Sequence, residues 1–583
     1  MPAESGWYHV GSYLRPCSNA VDEGFFIIFI TRKRRDDMKI TGAEAIIKAL
    51  ELENTDIIFG YPGAAISPFY DALLNSRIKH ILTRHEQGAA HAANGYARVT
   101  GKPGVCVSTS GPGATNLITG IANAYMDSIP IIAITGQVKR DMIGTDAFQE
   151  ADITGATAPF TKHSYLVKTA DELPRIIKEA FHIASTGRPG PVVIDIPIDV
   201  QTSTFEYKVP QTVEIKGYKP TVKGHPMQIR KAAAALEEAK RPVICAGGGV
   251  IAANAAGEMV ELAVKRNIPV VTTLMGIGAI PSAHPLHFGM VGTHGSNTAN
   301  HALHHADLVM ILGARVGDRA IGAASTLGKK ARIIHIDVDP AEIGKNIDVS
   351  IPLVGDLKLT LREMLEYVSP SDGREWLDEV TDRRLKAREK AAASADKHEG
   401  TGFIDPRKLL SLLADYLPEE AVVATEVGQN QIWAANNFKV RMPKTFITSG
   451  GLGTMGYGLP AAIGAKVGKP DVPVVVISGD GSFQMSMQEL GTMKQHNIDV
   501  KIVLFNNCRL GMVRELQFTK HEGRYSQVCL DTNPDFVALA AAYGFKGERI
   551  SSSAQIESAL ERMASAKGPY LLECMVDPME PTL

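Results

Sequence analysis

Short runs of β-branched and aliphatic residues alternate along most of this chain with longer stretches of helical periodicity. Each run ends in glycine, serine or proline, as in the segments DIIFGYPG, GVCVSTSG and PIIAITG near the beginning. Strands that are buried on both faces of a parallel sheet have nearly continuous apolar sequences, and helices connect them. The alternation therefore predicts βαβ units that build parallel sheets.

The alternation comes in three blocks, and a charged, glycine-poor helix around Trp376 to Lys397 is predicted to connect the second block to the third. A chain of 583 residues fits about three domains, at roughly 100–200 residues for each. We therefore predict an α/β protein with three doubly wound parallel-sheet domains, over residues 38–205, 225–365 and 401–583.

Composition excludes several classes of function. The 61 basic and 63 acidic residues leave a net charge of −2, so the chain lacks the basic patch of a nucleic-acid-binding protein. Its six cysteines are scattered singly, without metal-ligand spacing, which suits a reducing compartment and predicts a cytoplasmic location. The most apolar stretch, FFIIFI, is far shorter than the ~20 residues of a membrane span. We expect neither nucleic acid nor a membrane as a partner.

Residues 1–37 do not resemble the rest of the chain. The apolar run FFIIFI precedes the basic cluster Arg32 to Arg35, which is the reverse of the order in a secretory signal. Met38 then opens a clean helical pattern, KITGAEAIIKALELE. We therefore expect synthesis to start at Met38, and an intact-mass measurement on the native protein would test this expectation.

The strongest local motif is VVVISGDGSFQMSMQEL followed by KIVLFNN. It places Asp480, between Gly479 and Gly481, at the carboxyl end of a buried strand, and Asn507 follows 27 residues later at the tip of the next strand. Ligands of parallel sheets bind beyond these strand ends. A carboxylate and an amide carbonyl are hard oxygen ligands suited to Mg²⁺. The alternative interpretation is that both segments are merely tight turns.

The pattern GDG, 24 residues, NN resembles the diphosphate and Mg²⁺ motif of thiamine-diphosphate-dependent enzymes. Residues 38–583 as a whole resemble the large catalytic subunit of acetohydroxyacid synthase (acetolactate synthase). The resemblance implies a pyrimidine-binding domain, a central FAD-type domain and a diphosphate-binding domain, in that order. It implies Mg²⁺ coordination by Asp480, Asn507 and the backbone carbonyl of Arg509. The implied contacts of thiamine diphosphate are Pro62, Asn116, Gly428, Gln429, Asn430, Gly453, Met455, Gly481, Ser482 and Met512.

Glu86 opens the segment EQGAAHAANGYAR after an apolar strand. From position alone, a carboxylate at a helix start caps the helix or interacts with its dipole. The resemblance implies instead that Glu86 forms a hydrogen bond with the N1′ atom of the aminopyrimidine. It also implies that Met455 in TSGGLGTMGYG bends the cofactor, although Met455 alone would be assigned to core packing. Because these groups lie in different domains, the resemblance implies a homodimer or a dimer of dimers.

The segments SGPGATNLITGIANAYMDSIPIIAITGQV and GTDAFQEADITGATAPFTKH resemble the biosynthetic branch of the family, in which Phe148 and Gln149 line the active site. Arg319 resembles the arginine that binds the carboxylate of the acceptor. Its alternative role is a surface ion pair with Asp318. The implied substrates are pyruvate and 2-oxobutanoate, and the family also implies a small regulatory subunit.

The middle block resembles the FAD-binding segments of the biosynthetic enzymes, in which FAD has no redox role. Independently of that resemblance, Asp337 ends the predicted strand RIIHID, where dinucleotide-binding domains place an acidic residue for the ribose. The alternative is an empty domain, as in catabolic relatives. The implied FAD contacts are Arg188, Gly248, Gly249, Thr273, Leu274, Met275, Gly292, His294, Gly313, Arg315, Asp337, Glu342 and Asp356.

Three positions depart from the family pattern. Leu516 replaces a tryptophan that favours 2-oxobutanoate, so we expect a weaker preference for that acceptor; Ile198 replaces a lysine, and Gly317 replaces an aspartate. The chain also stops at MEPTL, without the longer tail that often helps to close the site.

Three other functional classes compete with this one. A nucleotide-binding regulator or dehydrogenase is disfavoured, because the chain has no GxxxxGK[ST] motif and no GxGxxG in a complete context. A closer rival is another carboligase, either a catabolic acetolactate synthase or a glyoxylate carboligase. PGAAISPFY and TLMGIGAIP resemble the glyoxylate group, which typically lacks the glutamate present here as Glu86. A homologue without enzyme activity would be expected to have lost Glu86, Asp480 or Asn507, and all three are present.

Overall fold

The computed structural model describes residues 38–583 except 322–326, 328–330, 372, 393–397 and 399. The expectation about residues 1–37 and the end of the predicted connecting helix lie outside the described residues. Within them, three parallel six-stranded sheets with interleaved helices form the molecule, and a two-stranded antiparallel pair accompanies the first sheet. The predicted α/β fold with three doubly wound domains is confirmed.

The strands are numbered in chain order. They are β1 Met38–Thr41, β2 Ile57–Gly60, β3 Lys79–Leu82, β4 Gly104–Ser108, β5 Ile131–Gln137, β6 His163–Leu166, β7 Val192–Pro197, β8 Thr204–Tyr207, β9 Pro242–Ala246, β10 Val270–Thr272, β11 His287–Met290, β12 Leu308–Leu312, β13 Arg332–Asp337, β14 Ile351–Val354, β15 Val422–Thr425, β16 Phe446–Ile447, β17 Val474–Gly479, β18 Val500–Asn506, β19 Lys546–Ile550 and β20 Tyr570–Met575.

Helices connect the strands on both faces of each sheet. The α-helices are Gly42–Leu52, Ser67–Leu73, Glu86–Thr100, Pro112–Asn116, Ile118–Asp127, Ile153–Thr157, Leu173–Ser185, Ile198–Thr202, Pro226–Glu238, Gly248–Ala252, Ala256–Arg266, Asn297–His305, Asp318–Ile321, Leu357–Tyr367, Glu375–Ala392, Pro406–Leu413, Gln429–Asn437, Gly458–Gly468, Asp480–Gln484, Leu490–His496, Gly511–Lys520, Phe536–Ala542 and Ile556–Ser565. Short 3₁₀ turns span Ala64–Ile66, Arg140–Met142, Ala158–Phe160, Ala170–Glu172, Leu274–Gly276, Ala414–Tyr416, Met487–Glu489 and Ser553–Gln555.

The strand order separates the middle sheet from the two outer sheets. The first sheet has the order β3-β2-β4-β5-β7-β6 and the last has β16-β15-β17-β18-β20-β19. Counted from its own first strand, each outer sheet therefore reads 2-1-3-4-6-5. The middle sheet has the order β11-β10-β9-β12-β13-β14, which reads 3-2-1-4-5-6. That is the order of dinucleotide-binding sheets, in which ligands bind where the order reverses.

Two helices join the outer sheets at backbone contact. Helix Glu86–Thr100 follows β3 and helix Gly458–Gly468 follows β16, so each comes after the second strand of its sheet. A Cβ atom on Gly464 would overlap the carbonyl oxygen of Ala92, and one on Gly95 would overlap that of Ala461. The absence of side chains at these two glycines thus lets the helices approach closely. Apolar residues of both outer domains form one continuous core.

Helix Glu375–Ala392 packs on the middle domain. Trp376 is buried, and its Nε1 donates a hydrogen bond to the carbonyl oxygen of Pro242 at 3.2 Å. Val380, one turn further along the helix, is also buried. The segment predicted as a connector therefore also covers one face of the middle sheet. Within the described residues, no helix is both long enough and apolar enough to cross a membrane.

Candidate active site

The carboxyl ends of β17 and β18 bring Asp480 and Asn507 to one edge of the last sheet, because the two strands are neighbours in parallel register. Asp480 is only 2% exposed, and its Oδ2 accepts a hydrogen bond from the Asn533 amide at 2.7 Å. Burial raises the pKa of Asp480 to about 6. A bound cation stabilises the charge of a carboxylate that is buried away from water. The Asp480 carboxylate is therefore suited to be a ligand of Mg²⁺.

Asn507 is fixed on both sides of its amide. Its Nδ2 donates to Gln429 Oε1 at 3.0 Å, and its Oδ1 accepts from the backbone N–H of Arg509 at 3.1 Å. Gln429 is the first residue of helix Gln429–Asn437, which begins after β15. The tips of β15, β17 and β18 therefore converge on one site.

Glycines and an unpartnered amide line the space between β15 and β17. Gly428 has φ 142°, and a Cβ atom on Gly479 would lie 2.9 Å from Asn430 Nδ2. The Oδ1 atom of Asn430 is buried without a hydrogen-bond partner. Buried polar atoms are normally paired, so this cradle fits a polar ligand group such as a phosphate. Ser482 borders it, with its Oγ donating to the carbonyl oxygen of Val427 at 2.7 Å.

Glu86 is the first residue of helix Glu86–Thr100, but His85 caps the helix. The ring Nδ1 of His85 accepts from the backbone N–H of Gln87 at 3.1 Å. The Glu86 carboxylate instead accepts from Asn116 Nδ2 at 3.0 Å. Burial and the negative charge of Glu86 raise the pKa of the nearby Tyr70 hydroxyl. The Glu86 carboxylate is thus held by the Asn116 amide and does not cap its own helix.

The loop that joins β16 to helix Gly458–Gly468 carries Gly453 and Met455. Gly453 has φ +71° and Gly456 has φ +85°, so the loop depends on glycine at both positions. The Cε atom of Met455 lies 3.8 Å from the position of a Cβ atom on Gly481. Met455 therefore lies beside the Asp480 turn, half-buried, and not in the core.

The middle sheet has a second glycine-lined crevice, where its strand order reverses between β9 and β12. A Cβ atom on Gly247 would overlap the carbonyl oxygen of Gly313, and one on Gly249 would lie 2.6 Å from Gly313 Cα. Asp337 ends β13, and burial raises its pKa to about 6. Burial lowers the pKa of the Arg315 guanidinium. The crevice thus offers bare backbone, a buried acid and a half-buried cation, which fits a dinucleotide.

The other residues expected at FAD lie around this crevice or cap nearby elements. Arg188 forms an ion pair with Glu342 at 2.7 Å, and Glu342 Oε2 is buried without a partner. Asp356 caps helix Leu357–Tyr367, with its Oδ1 accepting from the Leu359 N–H at 2.9 Å. The remaining members follow the ends of β9, β10 and β11; they are Gly248, Thr273, Leu274, Met275, Gly292 and His294.

Comparisons with known proteins agree with this geometry. Three family descriptions match the chain: "Thiamine pyrophosphate enzyme, N-terminal TPP binding domain" over residues 40–156, "central domain" over 229–364 and "C-terminal TPP binding domain" over 426–574. The chain is 50% identical over 551 residues to the probable acetolactate synthase large subunit of Methanocaldococcus jannaschii, covering 92% of each chain. It is 45% identical over 542 residues to the acetolactate synthase isozyme 2 large subunit of Escherichia coli K12, covering 93% of this chain and 96% of the relative.

The chain belongs to the acetolactate synthase large-subunit family of thiamine pyrophosphate enzymes. A third relative, the acetolactate synthase large subunit of Corynebacterium glutamicum, is 46% identical over 534 residues, which are 90% of this chain and 84% of the relative. The family resemblance drawn from the motifs is confirmed, and thiamine diphosphate is the cofactor of these domains.

The structure does not bring every expected acetolactate synthase site residue to the cofactor cradle. The side chain of Arg319 is 78% exposed and lies 3.6 Å from Asp318 Oδ2, which is the surface ion pair kept as its alternative. Its backbone carbonyl accepts from Thr293 N at 3.0 Å, beside Gly292. Leu516 is also exposed, on helix Gly511–Lys520 with Met512.

Phe148 and Gln149 lie next to the tip of β4. A Cβ atom on Gly111 would lie 2.8 Å from the carbonyl oxygen of Gln149. The Phe148 ring is 88% exposed in the isolated chain, and Pro62 is exposed at the tip of β2. The structure therefore places Phe148 and Gln149 beside the loop that follows β4, with the Phe148 ring open to solvent in the single chain.

Three residues that interact with the site were not predicted from the sequence. Asn533 binds Asp480, as described above. Glu426 is fully buried directly after β15, and Asp127 reaches the loop that carries Met455. Glu426 had the same signal as Asp480, an acidic residue at the end of an apolar strand. Asp127 and Asn533 had no local signal, because their partners are distant in sequence.

Proposed function

We propose that this chain is the catalytic large subunit of an acetolactate synthase of branched-chain amino acid biosynthesis. It would join the two-carbon unit of pyruvate to a second pyruvate or to 2-oxobutanoate. The observation that carries the proposal is the buried Asp480 beside Asn507 at neighbouring strand tips, in a chain that is half identical to relatives bearing this name.

Asp480, Asn507 and the backbone carbonyl of Arg509 would hold Mg²⁺, and Gly428 to Asn430 with Gly481 and Ser482 would hold the diphosphate. Asp480 contributes charge in a dry site, where an ion pair with a cation is strong. Asn507 contributes a carbonyl oxygen whose direction is fixed by Gln429 and by the Arg509 N–H. When bound, thiamine diphosphate supplies the electron sink that lets pyruvate lose carbon dioxide.

Glu86 would share a proton with the N1′ atom of the aminopyrimidine. Asn116 holds its carboxylate at 3.0 Å, so the proton-sharing oxygen has a fixed direction. Met455 would support the bent cofactor, with the Gly453 carbonyl facing the 4′ nitrogen. Phe148 and Gln149 would line the substrate space from the first domain. Because Phe148 is exposed in the single chain, we propose that the site is completed in a homodimer or dimer of dimers.

The proposal is tested by incubating the purified protein with pyruvate, thiamine diphosphate and Mg²⁺ and identifying the product. Acetolactate is the expected product, and the Glu86→Gln variant serves as the inactive control. Acetaldehyde alone would identify a simple decarboxylase, and unconsumed pyruvate would reject the assignment. The molar mass of the active protein, measured by light scattering, should be that of a dimer or a larger assembly. An active monomer would contradict the proposal.

The acceptor specificity has its own test. Arg319→Ala should weaken the use of the acceptor 2-oxo acid, because its carboxylate loses a cation, and should leave cofactor affinity unchanged. Unchanged turnover of pyruvate would reject that role.

Leu516 is expected to weaken the preference for 2-oxobutanoate as acceptor. When the wild-type protein is given a mixture of pyruvate and 2-oxobutanoate, the 2-oxobutanoate product should therefore be only weakly enriched. Strong enrichment of that product would refute the expectation.

We also propose that the middle crevice binds FAD in a role without redox chemistry. The 3-2-1-4-5-6 strand order and the contact of Gly247 with Gly313 support it. The purified protein should show flavin absorption that is lost on denaturation and filtration. A colourless protein that takes up no added FAD would indicate an empty domain.

A small regulatory subunit is a further expectation of the family, to be tested by co-purification.

A further inference from the structure

The loop over residues 448–457, which we call the Met455 loop, is anchored at its first half by a carboxylate of the N-terminal domain. Asp127 Oδ1 accepts from the backbone N–H of Gly451 at 2.7 Å, and its Oδ2 accepts from that of Gly450 at 3.4 Å. The Asp127 side chain is completely buried. Two neighbouring amides of the loop thus depend on one carboxylate from another domain.

Asp127 is itself fixed by a buried ion pair. Arg98 Nη2 lies 2.6 Å from Asp127 Oδ2, and the Arg98 side chain is only 9% exposed. Arg98 Nε also donates to Asn94 Oδ1 at 2.8 Å, and the same oxygen accepts from the Tyr457 hydroxyl at 2.8 Å. The network therefore connects both ends of the Met455 loop to helix Glu86–Thr100.

A second buried carboxylate anchors the other end of the loop. Glu426 Oε2 accepts from the Gly456 N–H at 2.8 Å. Its Oε1 accepts from the N–H groups of Gly458 at 2.8 Å and Leu459 at 3.2 Å. Glu426 is fully buried and follows β15 directly, two residues before Gly428. The residue after Met455 is thus fixed to the same turn that forms the diphosphate cradle.

The middle of the loop is held by one hydrogen bond within the loop and by two to Asn123 of the N-terminal domain. Ser449 Oγ accepts from the Thr454 N–H at 2.9 Å, and Thr454 Oγ1 donates to Asn123 Oδ1 at 3.1 Å. Ser449 also donates to Asn123. Leu452 and Gly453 are left exposed at the apex.

A segment with four glycines among ten residues has large conformational freedom, which hydrogen bonds must offset to keep one shape. Hydrogen bonds to an ionised acceptor are about twice as strong as neutral ones, which applies to Glu426 above its raised pKa of about 7. Each carboxylate is dry, so it loses more by leaving its amides than an exposed carboxylate would. The two anchors are therefore suited to hold the loop in one shape before any ligand binds.

We propose that Asp127 and Glu426 are positioning residues that hold the Met455 loop from two domains, so that Met455 and Gly453 are in place before the cofactor binds. This inference rests on the proposed function, because it assigns the loop to thiamine diphosphate. A purely structural role would lower overall stability without a selective change in the loop.

Hydrogen–deuterium exchange on the cofactor-free protein tests the inference without relying on activity. Asp127→Asn should speed exchange in peptides that cover 449–453, and Glu426→Gln in peptides that cover 455–459. The matched control is Glu179→Gln, a largely buried carboxylate of the same domain that pairs with Arg175 at 2.9 Å and lies outside these networks. It should leave both peptides unchanged.

Cofactor affinity is the second readout, measured by intrinsic fluorescence on titration with thiamine diphosphate and Mg²⁺. Each positioning variant should weaken binding by about 10- to 100-fold, as loss of an outer-shell partner does at metal sites. If Asp127→Asn does not fold because Arg98 is left unpaired, the double variant Arg98→Met with Asp127→Asn removes both charges. It should fold and show the same loop exchange.

The inference is wrong if the folded variants show the same loop exchange and the same cofactor affinity as the wild type. It is also wrong if exchange becomes faster evenly over the whole protein. The wild-type assay separates this failure from failure of the proposed function. A wild-type protein that makes acetolactate, with variants that keep the protected loop, rejects the inference alone. A wild-type protein that makes none rejects the function, and selective loop exchange with weaker cofactor binding would still support the two anchors.

Discussion

The first and last sheets have the same strand order but place different chemistry at their strand ends. In the last sheet, the tips of β15, β17 and β18 bring together a glycine turn, the Asp480 carboxylate and the Asn507 amide. In the first sheet, a single carboxylate, Glu86, follows β3, and Asn116 holds it. The difference shows that the topology determines where a site forms, whereas a few turn residues determine whether it suits a metal and phosphate or a proton.

The largest effect is expected from Glu86→Gln. The first sheet then keeps its shape but loses the carboxylate that we propose shares a proton with the cofactor. Acetolactate formation should fall by about 10²- to 10⁴-fold, the usual contribution of a general acid or base. Titration should show nearly unchanged affinity for thiamine diphosphate and Mg²⁺. A large loss of affinity would mean that Glu86 acts mainly in cofactor binding and not in proton transfer.

Asp480→Asn should have the complementary effect in the last sheet. The half-saturating concentration of Mg²⁺ for cofactor binding should rise by about tenfold or more, equal to about 1.4 kcal/mol, because the site loses its charged ligand. Glu86→Gln is the matched control in the same titration and should not shift the Mg²⁺ curve. Equal shifts in both variants would contradict the division of roles between the two sheets.

Gly464→Ala should weaken the contact between the two sheets. Its Cβ atom would overlap the carbonyl oxygen of Ala92, and overpacking of this kind costs about 1–3 kcal/mol. The loss should appear as a lower midpoint in urea unfolding. Gly257→Ala is the control, since Gly257 lies on a helix with open space around its Cβ position. It should lose nothing and gain up to about 1 kcal/mol.

The smallest effect concerns pH. Burial raises the pKa of Glu426 from 4.5 to about 7, against the opposing effect of its backbone hydrogen bonds. Between these values the folded protein binds the proton more tightly than the unfolded chain, so stability from this group falls as pH rises. The slope is at most about 1.4 kcal/mol per pH unit. Glu426→Gln removes this titration. The free energy of unfolding of the variant minus that of the wild type, measured in urea, should therefore be higher at pH ~7.5 than at pH ~5. Parallel pH curves would contradict this.

The sequence predicted the central strands and the apolar edge strand β3 but missed the edge strands β6 and β19. Continuous apolar runs such as VVVISG and KIVLFN became β17 and β18, which are buried along nearly their whole length. The edge strands β6 and β19, HSYL and KGERI, are partly exposed and carry mixed residues. Because an edge strand faces solvent, its sequence lacks the apolar run that marks a buried one.

The site could be predicted only where its residues carry local signals. Asp480 and Asn507 end buried strands, so their meeting at one edge followed from the fold class. The cap of helix Glu86–Thr100 was not foreseen, because a glutamate at a helix start and a histidine before it are both compatible with capping. The Asp127 anchor could not be foreseen, since its partners lie 323 and 324 residues further along the chain.

The close packing of the two outer sheets also bears on how the protein is made. Helix Glu86–Thr100 ends 358 residues before helix Gly458–Gly468 begins. At about 5–20 residues per second, a ribosome takes about 20–70 s to cover that distance. During this interval the first helix lacks its partner, and the part of its face that will reach backbone contact carries the small residues Ala92 and Gly95. These two positions offer other nascent chains little apolar surface, so the small residues that allow backbone contact in the finished protein also limit aggregation through this part of the face during synthesis.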